Sequence, residues 1–186
     1  MTSKKMTGMA ASIILFFLSA APAAIFESST LFFFGNGNFV SKREIIGYPG
    51  EQFPSAGDKC HFTIAGTKPE GQMGSAKGVF VDPDWHDGVL FAILDVGHVD
   101  DRLFPGMIQL HGEAHVYVNG RFRFTYKMFF ELAEGGKYSP DWVRLYLWDQ
   151  TQYGLWELPD PLGQCFYIAG GWLSPGKVQM RWRDLP

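Results

Sequence analysis

Apolar and polar positions alternate in short runs along most of the chain, and glycine, proline, asparagine and aspartate separate the runs. A period of two puts successive side chains on opposite faces of a strand. No segment keeps a 3.6-residue period over the length that a helix needs. Residues 30–40 (TLFFFGNGNFV) predict an opening strand with a Gly-Asn kink, and 60–65 (CHFTIA) alternates weakly. Residues 76–82 (AKGVFVD) and 89–96 (VLFAILDV) read as a pair joined by the turn-rich 83-PDWHDG-88. The second of them is apolar on both faces, which predicts a central strand covered on both sides. Residues 107–118 and 121–132 form two long strands around Asn119-Gly120. In 142–149, Trp142, Arg144, Tyr146 and Trp148 alternate with Val143, Leu145 and Leu147. Residues 164–182 predict two short strands around a Gly-Gly and a Ser-Pro-Gly turn. Strands at this spacing predict an all-β fold, a single antiparallel β-sandwich or open barrel of about 8–9 strands. There is neither an internal repeat nor a dividing linker.

The N-terminus departs from this pattern. Lys4 and Lys5 precede the apolar run 9-MAASIILFFLSAAPAA-24, and Ala21 and Ala23 fit the small-x-small rule for cleavage. Pro22 breaks the run, which is short for a span of about 20 apolar residues. Residues 1–23 are therefore expected to be a signal peptide and 24–186 a single all-β domain, secreted, periplasmic or at the cell surface, with no membrane contact after cleavage. Without Lys4 and Lys5 the balance is 14 basic to 19 acidic residues. That mild acidity argues against a nucleic-acid partner, and no polybasic run points to a membrane surface.

The two cysteines, Cys60 and Cys165, fit an oxidising compartment. Two arrangements are open. A bridge closing so long a loop would contribute on the order of 4 to 5 kcal/mol through chain entropy; the alternative is two separate buried thiols.

Candidate chemistry concentrates in 107-MIQLHGEAHVYVNG-120, where His111, Glu113 and His115 share one face of a strand. The opposite face, Ile108, Leu110, Gly112, Ala114 and Val116, is apolar and should look inward. A plain two-residue Asn119-Gly120 turn would set polar residues against the aromatic row of the next strand. A three-residue loop at 118–120 with a glycine bulge shifts the pairing by one, so that Val116 meets Phe122 and Ala114 meets Phe124. In that register His115 faces Arg123, Glu113 faces Thr125 and His111 faces Lys127, and flanking cations oppose a metal. Glu113 then makes exposed cross-strand pairs with these bases. The row is left as a weak metal or hydrolase candidate, and no cofactor is expected.

Residues 82-DPDWHDG-88 read as a hairpin turn rather than a calcium loop, since the acids fall at positions 1, 3 and 6. Nucleophile elbows, phosphate loops and dinucleotide fingerprints are absent. The six tryptophans are the conspicuous excess. Trp142, Tyr146 and Trp148 share a strand face, and Trp85, Trp156 and Trp172 lie in or beside loops. Such rings can form a platform for sugars or a partner, or be covered by the second sheet and the loops.

Gly112-x-Ala114-x-x-x-Val118-Asn119-Gly120, the aromatic strand through Tyr126, Asp141-Trp142-x-Arg144-x-Tyr146 and the closing Gly170-Gly171 together resemble the post-COAP type of domain, a small β domain of secreted bacterial proteins. Phe80-Val81-Asp82 stands where that pattern has Tyr-Val-Asp. Trp172 replaces the closing asparagine, and the acidic turn is altered to 134-EGGKYSPD-141. The likeness covers residues 35–182 and rests on turn and packing positions. It implies an extracytoplasmic β domain with no catalytic residues to carry over. The function expected is thus an exported, non-catalytic binding or structural module, with a polysaccharide or a cell-surface protein as partner. The alternatives are a carbohydrate-binding module on Trp142, Tyr146 and Trp148, and an enzyme on the His111 row.

Overall fold

The computed structural model describes residues 29–42, 55–101, 105–136, 139–149 and 165–184. The regular elements among them are strands: β1 (Ser29–Val40), β2 (Lys59–Pro69), β3 (Ser75–Asp82), β4 (Leu90–Asp100), β5 (Met107–Val118), β6 (Arg121–Ala133), β7 (Trp142–Trp148), β8 (Tyr167–Trp172) and β9 (Gly176–Asp184). They pair antiparallel in one sheet of order β8-β7-β6-β5-β4-β3-β2-β1-β9. Residues 1–28, and with them the expected signal peptide, lie outside the described residues, as does Trp156.

The outermost strands, β8 and β9, are consecutive in the chain, so the sheet must curl back on itself. β8 is tied back to β1 by backbone hydrogen bonds: Lys42 N, just after β1, donates to Gly170 O (2.7 Å), while at the β8–β9 connection Ser174 N donates to Asn38 O (2.8 Å) and Asn38 N to Pro175 O (2.8 Å). Of sandwich and open barrel, the chain thus forms a curled half-barrel sheet, which leaves less free edge. The seam brings backbones very close. A Cβ on Gly37 would sit 2.7 Å from Gly176 Cα, and one on Gly171 2.5 Å from Val40 O, so glycine is required there. Buried Ser41 and Ser55, with hydroxyls 3.1 Å apart, line the same seam, and the Ser55 hydroxyl donates to Ile168 O. At the other end the Asp141 carboxylate accepts from Gly135 N (2.6 Å) and Val178 N (2.5 Å), tying the β6–β7 connection to β9.

The inward face carries the main core. Phe62 stands edge-on to Phe130 with ring centroids 5.4 Å apart, and Phe80 contacts Tyr167 at 5.6 Å. Leu94, Leu110, Leu132, Leu145 and Val178 fill the space between, all fully buried. The interior is packed, as expected for a barrel of this size. A second, smaller cluster of Phe129, Tyr146, Trp148 and Ile168 lies on the outward face of β6, β7 and β8.

The β5–β6 hairpin corrects the predicted register. The turn does have two residues: Val118 pairs with Arg121, and Asn119 and Gly120 take φ of 51° and 77°. Both central residues in the left-handed region give the turn whose twist suits a hairpin. Asn119 is also held in place, accepting from Val89 N at 2.9 Å and donating to Asp87 O at 3.1 Å. The extra residue is Arg123, on β6, between the pairs Tyr117–Phe122 and Val116–Phe124. Inward residues still meet inward residues, as the face argument requires, but by another route. Phe122 therefore points outward, where it is 57% exposed beside Tyr117 at 5.5 Å. On β4, which is central as predicted, the outward face is not covered: Phe91 is half-buried and Ile93 exposed.

Candidate functional site

The register fixes the surroundings of the histidine row. His111 pairs with Phe129 rather than Lys127, Glu113 with Lys127 rather than Thr125, and His115 with Thr125 rather than Arg123. The Lys127 ammonium contacts Glu113 Oε1 at 2.7 Å, and His115 Nδ1 lies 2.9 Å from Thr125 Oγ1. On the other side a bulge at Gly97 turns His98 outward, 5.6 Å from the His111 ring. Burial, and then His98, hold His111 below the usual histidine range, with Asp100 opposing. Among the described residues no group of three or more His, Cys, Asp or Glu side chains is arranged to hold a metal ion.

Trp142, Tyr146 and Trp148 do share the outward face of β7, but they do not form an open platform. Tyr146 and Trp148 are buried in the outward cluster with Phe129 and Ile168. Trp142 is half-buried, opposite Trp172, with the Arg144 guanidinium 4.8 Å over its ring. Arg144 in turn meets Glu131 at 2.5 Å, and Gln109 donates to Glu131 at 2.8 Å.

The cysteines are not bridged. Cys60 belongs to the interior core, whereas Cys165 packs against the outward cluster. They occupy opposite faces of the sheet, which no disulfide spans. Cys60 instead joins a buried polar group near one end of the barrel. The Tyr167 hydroxyl donates to Asp82 Oδ2 at 2.7 Å and lies 3.5 Å from Cys60 Sγ. Asp82 Oδ1 accepts from Asp84 N at 3.0 Å, closing the turn after β3. Burial, then the Asp82 carboxylate, hold the Cys60 thiol far above its usual range, and burial first of all does the same to the Tyr167 hydroxyl. Asp58 stands beside them, its carboxyl pushed up to about 6, first by burial and then by Asp82. Asp82 and Tyr167 have no solvent exposure, so in this conformation the pair cannot touch a substrate.

Above this group is a cleft that the sequence pattern alone does not reveal. It opens at the end of the barrel where the 83–88 turn docks on the β5–β6 hairpin. Its volume is about 330 Å³, and among the described residues Trp85, Asp87, Arg123, Phe124, Tyr126, Asp149 and Phe166 line it. Trp85 contacts Phe166 with centroids 5.5 Å apart, Phe166 stacks on Tyr126 at 4.3 Å, and Tyr126 contacts Phe124 at 5.3 Å. Phe124 and Tyr126 face inward with Val116 and Ala114, yet they sit where the barrel ends and remain partly open. Two signals mark the place in the sequence. One is Trp85 inside an acidic turn, and the other is the Arg-Phe-Arg-Phe start of β6. Reading the latter as a regular strand hides the bulge that brings Arg123 to the cleft.

No protein-family model, no curated protein and no solved structure matches the chain.

Proposed function

We propose that this protein is a non-catalytic binding β-domain whose ligand seats in the cleft at the mouth of the barrel. The observation that carries this reading is the cleft itself, with four aromatic side chains and three charged ones around a space of about 330 Å³. Small-ligand sites are of this size, mainly apolar with a few polar groups, and favour barrel mouths. Beneath the cleft the inward side chains of the described residues gather into one buried core. Export to the cell surface or beyond, and membership of the post-COAP type of domain, belong to the same proposal. They rest on the leader-like residues 1–23 and on Gly112, Ala114 and the 118–120 corner.

The walls suit a ligand with an apolar body and polar edges, the chemistry of a sugar as well as of a small amine. The test is a titration of tryptophan fluorescence with oligosaccharides and small charged metabolites. A true ligand changes the emission, and Phe166→Ala, which removes the ring between Trp85 and Tyr126, weakens its binding at least tenfold. A panel in which nothing binds, or a ligand indifferent to Phe166, rules the cleft out.

A further inference from the structure

We infer that the mouth cleft recognises a zwitterion, a compact quaternary or tertiary ammonium carried close to a phosphate or carboxylate. The inference rests on the reading of the cleft as the ligand site and names its ligand class. The rings argue for a cation. Phe124 meets Tyr126 at 63° and Trp85 meets Phe166 at 64°, on either side of the parallel Tyr126–Phe166 stack. A sugar is best received by one flat face, whereas rings set at steep angles wrap a rounded, soft group. An alkylated ammonium is such a group, and it gains from aromatic faces through their quadrupoles.

The charges argue for a zwitterion rather than a simple cation. Asp87 and Asp149 line the cleft with Arg123. Burial first, and then Asp149, raise the pKa of the Tyr126 hydroxyl while Arg123 opposes them, so charges of both signs bear on the same ring. Two carboxylates favour the ammonium. The guanidinium matches a phosphate or carboxylate in two parallel hydrogen bonds, and it would repel a lone cation. A ligand carrying both groups satisfies both sets. The bulge at residue 123 has a functional sense on this view, because a regular strand would not bring Arg123 and Phe124 to the same cleft.

The test is calorimetric titration of the purified protein with phosphocholine, choline, glucose and 3,3-dimethylbutanol, the uncharged analogue of choline. Phosphocholine should bind tightest, and choline roughly tenfold tighter than the uncharged analogue, the scale of one desolvated cation–π contact. Arg123→Gln, at an exposed position, should weaken phosphocholine and strengthen choline, since it removes the anion's partner and the cation's repulsion. Vesicles of phosphatidylcholine identify the source. Binding that free phosphocholine displaces assigns a lipid headgroup, and binding of free phosphocholine alone assigns a soluble ligand; either result supports the zwitterion. Equal affinity for choline and dimethylbutanol overturns it. Binding of glucose but of no ammonium compound also overturns it, while leaving the cleft as a ligand site. If nothing in this set or in the saccharide panel binds, both readings fall.

Discussion

Tyr146 and Trp148 point away from the barrel interior yet are only 3% and 1% exposed, while Phe124 points toward the interior and is 37% exposed. On an ordinary sheet the order would be reversed. The outward pair packs with Phe129 and Ile168 on the flanking strands in a second apolar cluster. Phe124 is partly open because it sits next to the hairpin tip, where the barrel ends and its core runs out. Periodicity reports which face a side chain belongs to. Exposure depends on what lies over that face and on the distance from the barrel end. The mouth therefore presents aromatic surface that Tyr146 and Trp148 on β7 do not.

Truncation is the strongest way to break this comparison. Trp148→Ala should cost about 3–5 kcal/mol, the usual loss for a large ring removed from a packed site. Phe124→Ala should cost about 1 kcal/mol or less, because its burial is only partial, yet weaken ligand binding. Urea unfolding of the two variants checks the order. A Trp148 variant as stable as the Phe124 variant would mean that the outward cluster is not a core.

Tyr167→Phe should come next. It leaves Asp82 Oδ2 fully buried without its 2.7 Å donor, a loss on the order of 1–3 kcal/mol. Tyr126→Phe removes a half-buried hydroxyl at the mouth and serves as the comparison, with little change in the unfolding midpoint. Equal losses would show that the Asp82 group does not depend on its tyrosine.

Most of the fold was legible from alternation and turn residues, because period-two runs and Gly/Pro breaks are local properties. The nine strands fall on segments marked by alternation, by an apolar run or by turn residues, and inward residues of β5 and β6 do face each other. The position of the bulge was not legible. A glycine bulge in the loop and an extra residue at Arg123 satisfy the same face rule, and the choice depends on how Asn119 engages Val89 and Asp87 in a distant turn. The cysteines illustrate the same limit. Their number and compartment allow a bridge, but only the curl of the sheet places Cys60 inside and Cys165 outside. Nor could the cleft be read, since Trp85, Arg123, Asp149 and Phe166 come together from four separate stretches of chain.

The buried polar group also sets a pH dependence of its own. The Asp58 carboxyl titrates at about 6 in the folded protein against an ordinary value of 3.8. Its folded-state pKa is raised, so the folded state binds the extra proton and is favoured by it at low pH. That contribution is fully present below about pH 4 and is lost as pH rises to about 6. Unfolding free energies measured across this window should fall more steeply with pH in the natural protein than in Asp58→Asn. Parallel curves would remove Asp58 from the account.

The smallest effect is expected at Glu113, in the stretch that looked most like chemistry. Along one outward row Lys77 pairs with Asp95, Asp95 with Glu113, and Glu113 with Lys127. The two lysines make ion pairs at the ends, each at 2.7 Å, and the two carboxylates face each other in the middle. Glu113→Gln removes the attraction to Lys127, but it also relieves the repulsion from Asp95. Exposed cross-strand pairs are worth a few tenths of a kcal/mol either way, so the two changes nearly offset, and the net cost should stay below about 0.5 kcal/mol. The Lys127 side chain is only 8% exposed, against 44% for Glu113, so what remains should be a small loss rather than a gain. Thermal unfolding at low and high salt checks this, with the difference between variant and natural protein shrinking as salt screens the row. A loss of several kcal/mol that persists in high salt would mean that Glu113 holds more than Lys127.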